Sequence, residues 1–217
     1  MTDLLYRWPE SARFDRPIAK NKLYEQGTVS SAVRERFITE VEKITWAYKL
    51  AEDTINLPSS ASVPEIQVLV IEAKGEDVNS SVLIAIDKAI KQPIIFEITG
   101  VNGTRMAATP KQVGLGALRL GAYYSTGWMG DDATRTPLPI VINLPNLYVA
   151  LLEPLTPVSA RPGEDVSDVA ARLDAVRRLE REVASLERKL RTEPQLNRKI
   201  ELRRELQDRQ AALASLI

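Results

Sequence analysis

The C-terminal stretch constrains the fold most. From Val166 onward, apolar residues return every three or four positions: Val166, Val169, Leu173, Val176, Leu179/Val183, Leu186 and Leu190. Arg, Glu, Asp and Lys fill the rest. A strand cannot gather that pattern on one face, whereas an α-helix of heptad-like spacing can. Such a helix spans ~35–40 Å at 1.5 Å per residue. Glu193-Pro194 ends it, because proline lacks an amide donor and biases its predecessor away from helical angles. A second helix carries Leu196, Ile200, Leu206, Leu213 and Ile217. The pair reads as an antiparallel helical hairpin over 166–217. TPVSARPGED, residues 156–165, reads as a linker, and 1–155 as the body.

In the body, EIQVLVIEAKG (65–75) is a nearly unbroken apolar run, as expected of a strand buried on both faces. NSSVLIAIDKAIK (79–91) follows as a helix capped by Asn79 or Ser80, with Leu83, Ile86 and Ile90 on one face. PIIFEITG (93–100) is a second strand. Strand, helix, strand over 65–99 is a βαβ unit with parallel strands, and Gly100-Val101-Asn102-Gly103 turns the chain into an antiparallel partner, TRMAAT (104–109). Upstream, Val33, Phe37, Val41, Ile44 and Tyr48 recur at helical spacing, which predicts one helix over 29–48, capped by Thr28 or Ser30, with Trp46 near the stripe. Residues 114–129 are expected to add a strand, and 137–155 a short apolar strand followed by a helix with Pro145 in its first turn. Residues 1–27 hold too much apolar surface for a disordered tail and should drape over the core. The fold class is therefore α/β: a mixed-sheet α/β body with a C-terminal antiparallel coiled-coil helical hairpin.

The chain has no cysteine and no histidine, and its 29 basic and 29 acidic residues cancel. Disulfides, thiolate chemistry, histidine bases and histidine or thiolate metal sites are excluded. What remains is carboxylate-held Mg²⁺ or Mn²⁺, lysine chemistry, or no chemistry. No cofactor is expected otherwise. Zero net charge gives no general attraction to nucleic acid or membrane. The opening MTDLLYRWPE lacks a signal-peptide pattern and no apolar run is long enough to span a bilayer, so the expected location is cytoplasmic, with no membrane partner. Gly114, Gly116 and Gly121 belong to no phosphate-binding motif.

Glu72-Ala73-Lys74 closes the first body strand. Two apart, Glu72 and Lys74 face the same side, as in metal-dependent nucleases that pair a carboxylate with a lysine. Asp53 could supply a second carboxylate, and Glu97 could join Glu72 or pair with a lysine. Against this, Asp53 lacks the usual preceding proline, strands are too few before Glu72, and Glu-x-Lys is common in charged chains. The polar end of a strand is the better reading. Lys20 and Lys22, two apart in an extended AKNKLY run, are candidates for phosphate contacts and more simply a solvated pair. On the hairpin, Leu173, Leu179, Leu186, Leu190, Leu206 and Leu213 are the expected partner-binding residues.

Four stretches together resemble one bacterial family: YRWPESARFDRPIAKNKLYE, ERFITEVEKITWAYKLAEDTINL, EIQVLVIEAKG with VLIAIDKAIKQPIIFEI, and EPQLNRKIELRREL. That family is a domain of unknown function, and the resemblance covers essentially the whole chain. It implies a place beside DNA methyltransferases and helicases of type III restriction-like systems, in anti-phage defence neighbourhoods. It implies no catalytic residue, and its pattern requires no Glu at the position of Glu72. The expectation is a non-enzymatic accessory subunit that docks a helicase or methyltransferase, with self-association through the hairpin and indirect contact with DNA as further expectations. The rivals are a Mg²⁺- or Mn²⁺-dependent nuclease using Asp53, Glu72 and Lys74, and a nucleic-acid-binding module.

Overall fold

The computed structural model describes residues 3–25, 29–112 and 118–217. After the short β1 (Leu5–Arg7) and a 3-10 turn come β2 (Arg13–Pro17), α1 (Lys20–Glu25), α2 (Ser31–Thr39), β3 (Val41–Ala51), α3 (Glu52–Ile55) and β4 (Glu65–Ala73). Helix α4 (Ser80–Ala89) then crosses to β5 (Ile94–Gly100), which turns into β6 (Gly103–Ala108). The short strands β7 (Lys111–Gln112), β8 (Arg119–Leu120), β9 (Tyr124–Ser125) and β10 (Arg135–Pro137) lead to α5 (Leu144–Leu152), α6 (Val166–Thr192) and α7 (Leu196–Leu216).

The sheet has the order β2-β3-β4-β5-β6-β9. Only β4 and β5 run parallel, joined by α4 as the βαβ reading requires, and the other pairs are antiparallel. Both faces are covered. Alternate residues of β4 and β5 serve opposite layers: Leu69, Ile71, Phe96 and Ile98 pack with Phe37, Val82 and Ile86, whereas Ile66, Val68 and Ile95 pack with Trp8, Leu147 and Tyr148. That two-sided burial explains the unbroken apolar run of β4. Gly103 makes the β5–β6 turn at φ +101°, where a Cβ would stand 2.0 Å from the Met129 carbonyl oxygen, so only glycine fits.

The single helix expected over 29–48 is two elements. Ser30 caps α2, accepting from the Val33 amide at 3.4 Å; Thr28 lies outside the described residues. The chain then becomes the long strand β3. Its pairing with β4 slips between Trp46 and Tyr48, leaving Ala47 as the extra residue of a β-bulge, and slips again between Val41 and Lys43. Ile44 and Trp46 face one layer while Tyr48 and Leu50 face the other. Val41, Ile44, Ala47 and Leu50 are all buried at a spacing of three. Two bulges in one strand thus imitate a helical stripe.

Two smaller expectations also change. AKNKLY is helical in α1, so Lys20 and Lys22 do not share a strand face. The apolar strand expected from 137 stops at Pro137: β10 pairs in parallel with β1, and Pro137 and Pro139 offer no amide to continue a ladder. Ile140 and Ile142 are left in solvent. Gly114 and Gly116 lie outside the described residues; beyond them the segment to 129 holds two two-residue strands, β8 and β9.

The helices α6 and α7 form the hairpin. Asp165 caps α6, accepting from the Ser167 and Asp168 amides at 2.7 and 3.0 Å. The antiparallel register runs from Arg172, which donates to the Leu216 carbonyl at 3.1 Å, through Arg209 beside Glu182 at 3.2 Å, to Arg198 beside Glu193 at 3.5 Å. Val166, Val169, Leu173 and Val176 of α6 belong to the same core as Leu5, Trp8 and Tyr148. Thr156 and Val158, in the segment expected as a linker, are also buried. The base of the hairpin is thus built into the body, and the distal half contributes to neither hydrophobic core cluster.

Candidate functional site

Strand pairing places the nuclease candidates. Lys43 is opposite Glu72, and Ala51 is opposite Glu65. Asp53 follows Ala51, so it lies at the other end of the β3–β4 pair from Glu72, seven residues along β4, or about 23 Å at 3.3 Å per residue. Each side chain has a local partner. Asp53 accepts from Lys49 at 3.1 Å, and Glu72 lies 3.3 Å from Lys43. Lys74 donates to the Ile38 carbonyl at 2.9 Å and stands 3.8 Å from Glu42. Among the described residues no three acidic side chains gather as metal ligands. Lys20 donates to the Val41 carbonyl at 2.7 Å and ties α1 to β3; Lys22 is exposed.

Three ionic clusters, each with a buried or largely buried member, tie the elements together, and of their charged residues only Glu97 is a candidate in the sequence. In the first, Lys111 donates to Asp87 at 2.7 Å and to the Ile90 and Gln92 carbonyls at 2.5 and 2.8 Å. The other Asp87 oxygen accepts from Tyr123, and Tyr148 donates to the Thr109 carbonyl at 2.7 Å. Lys111 thereby closes the C-terminal end of α4. Burial pushes the Asp87 carboxyl up, against the pull of Lys111, and pushes the Lys111 amine down. Burial also raises Tyr123 and Tyr148. The signal was present: Asp87 is four residues from Leu83 and three from Ile90, inside the apolar stripe of α4, where a charge requires a partner.

In the second cluster, Arg135 grips Glu97 with two bonds of 2.7 and 3.0 Å, and the Trp8 indole donates to the same carboxylate at 2.6 Å. Glu97 therefore pairs with arginine rather than lysine, and it pins β1 and β10 onto the sheet. In the third, Arg172 holds Glu164 at 2.9 and 2.5 Å and also the Ser159 and Leu216 carbonyls. That cluster locks the hairpin base. In each, the cation holds a carboxylate and donates further hydrogen bonds to backbone carbonyls, which is the arrangement of structural ion pairs.

Two clefts line α4. One of about 430 Å³ runs between α2 and α4, past Val33, Ile84 and Lys88. One of about 350 Å³ sits at the α4 N-terminus beside Asp77, Arg105 and Tyr123. Arg105 is already engaged there by Asp77 at 2.7 Å.

On the hairpin, Leu173, Leu179 and Leu186 are buried within the chain, and Leu190, Leu206 and Leu213 are half-buried. Leu173 packs in the body core with Leu213 against it. These leucines hold the hairpin together and onto the body. The exposed apolar residues are others: Leu196 is 71% and Ile200 51% exposed. None of the 21 residues of α7 is buried. No described helix is long and apolar enough to cross a membrane.

One family model, described as Domain of unknown function (DUF4391), matches residues 7–213. No curated protein and no solved structure matches the chain.

Proposed function

Since the chain belongs to the DUF4391 family, whose description brings no chemistry with it, we propose its function from geometry: a non-enzymatic docking subunit whose partner packs on the C-terminal hairpin. One observation carries this. A 21-residue helix with no buried residue, held on a rigid base, is a helix with a free side. Two helices alone bury little apolar surface, and helices gain most of their stability from packing. The base is fixed by the α6 core residues and the Arg172–Glu164 cluster, so a partner on the distal part would meet a pre-organised surface. The satisfied interior ion pairs and the separation of Asp53 from Glu72 fit the same reading.

The sequence resemblance suggests the partner: a helicase or DNA methyltransferase of a type III restriction-like anti-phage system, with DNA reached through it. The test is co-expression of the tagged full-length chain with each neighbouring gene product, followed by purification and mass determination of any complex. A stoichiometric complex with either enzyme supports the proposal. Absence of both complexes overturns it, as does Mg²⁺- or Mn²⁺-dependent DNA cleavage by the chain alone. Deleting 164–217 is not a usable control, because Val166, Val169, Leu173 and Val176 would leave the body core with it.

A further inference from the structure

We infer that the solvent-facing row of α7 is a docking face for an amphipathic helix with acidic flanks. This names the partner chemistry of the hairpin and rests on the docking reading for its choice of element.

The row follows from helical geometry. The α6-facing stripe of α7 is Leu202, Leu206, Leu213 and Leu216, all half-buried. At ~100° per residue, Leu196, Ile200, Arg203, Arg204, Gln207, Ala211 and Ala214 fall within an arc of roughly 100° on the other side. No Asp or Glu falls in that arc from 196 to 214, although the whole chain carries as many acids as bases. The acids of α7, Glu201, Glu205 and Asp208, stand on one flank. Among the described residues Arg203 and Arg204 make no ion pair, whereas Arg198 and Arg209 are paired with Glu193 and Glu182. The row therefore offers two exposed branched side chains one turn apart, then two guanidinium groups without an ion pair, then the uncharged Gln207 and two alanines that allow close approach of another backbone.

This combination selects the occupant. Leu196 and Ile200 at i and i+4 are the anchors of helix-on-helix recognition. Docking there desolvates Arg203 and Arg204, and carboxylates at the margin of the partner's stripe offset that cost where a basic partner adds repulsion. Duplex DNA would use the arginines but leave Leu196 and Ile200 uncovered. A second copy packing antiparallel through the same row would gather four guanidinium groups, because Arg203 and Arg204 sit near its middle.

The experiment uses the full-length chain and two synthetic helical peptides of about 20 residues, identical in their leucine stripe and flanked by Glu in one and Lys in the other. Titrations are read by fluorescence anisotropy, with a duplex DNA arm and sedimentation of the chain alone. The Glu-flanked peptide is expected to bind at least ~10-fold tighter, with a preference that shrinks as salt rises. The double variant Arg203→Glu/Arg204→Glu should reverse the preference, and Leu196→Asp should weaken both peptides. These positions are exposed, so melting curves should not change. Equal affinities, no binding of either peptide, indifference to the charge reversal, preferential binding of the duplex, or self-association lost in Leu196→Asp would each overturn the inference. Capture of a helicase or methyltransferase that survives these substitutions would sink this face and leave the docking reading intact.

Discussion

Replacing Lys111 with methionine should unfold much of what holds α4 to the segment after β6. Methionine is close in length and shape, so the loss is chiefly one of charge and hydrogen bonds. Lys111 is buried, with its amine on Asp87 at 2.7 Å and on two backbone carbonyls. Its removal strands a buried carboxylate, and breaking such a pair costs about 3–5 kcal/mol. For a chain of this size that lowers the melting temperature by roughly 6–20 °C, at about 2–4 °C per kcal/mol. The pH dependence follows from the Asp87 carboxyl, which burial already pushes above its ordinary value of 3.8. Without Lys111 it rises further. A carboxyl raised in the folded state favours folding most below its unfolded value and loses that contribution as pH climbs through its folded value. The deficit of Lys111→Met should therefore be largest near neutral pH and shrink on acidification. Asp87→Asn added to Lys111→Met removes the stranded charge and keeps an acceptor for Tyr123, so it should recover about half of the loss or more. The assay is urea unfolding of the single and double variants at neutral and mildly acidic pH. A cost under about 1 kcal/mol, the range of an exposed pair, would refute the buried pair; so would a deficit that does not change with pH.

Leu173→Ala should cost about 2–5 kcal/mol by the same assay, because this hairpin residue is built into the body core. Glu72→Ala and Lys74→Ala should each shift stability by no more than about 1 kcal/mol, since their ion pairs are exposed, and neither should alter any metal-dependent activity on DNA. Asn79→Ala removes the cap that accepts from the Ser81 amide at 3.0 Å, and should cost about 0.5–2 kcal/mol in thermal unfolding.

What the residues revealed depended on whether a period was unbroken. The hairpin was legible because its helices keep their spacing to Pro194. The βαβ unit was legible because β4 and β5 are apolar throughout and α4 has a clean stripe with Asn79 at its cap. Residues 29–48 misled because the bulges of β3 convert a two-residue alternation into buried positions three apart; only the β-branched and aromatic content of Val41–Tyr48 pointed to a strand. The candidate site was less legible. Heptad leucines mark the surface a helix buries, and here the chain itself buries it, so the available face of α7 emerged only once α6 was in place. The ionic clusters join Asp87 to Lys111 and Glu97 to Arg135 across long stretches of chain, and spacing in sequence carries no trace of such partners.

A docking subunit is defined by where its partner sits. Hydrogen–deuterium exchange of the full-length chain, alone and in complex with the co-purified helicase or methyltransferase, measures this directly. Docking on α7 should give new protection concentrated in residues 196–214, with the strand end around Glu72 and Lys74 unchanged. Protection at that strand end, with α7 exchanging as freely as in the isolated chain, would contradict it.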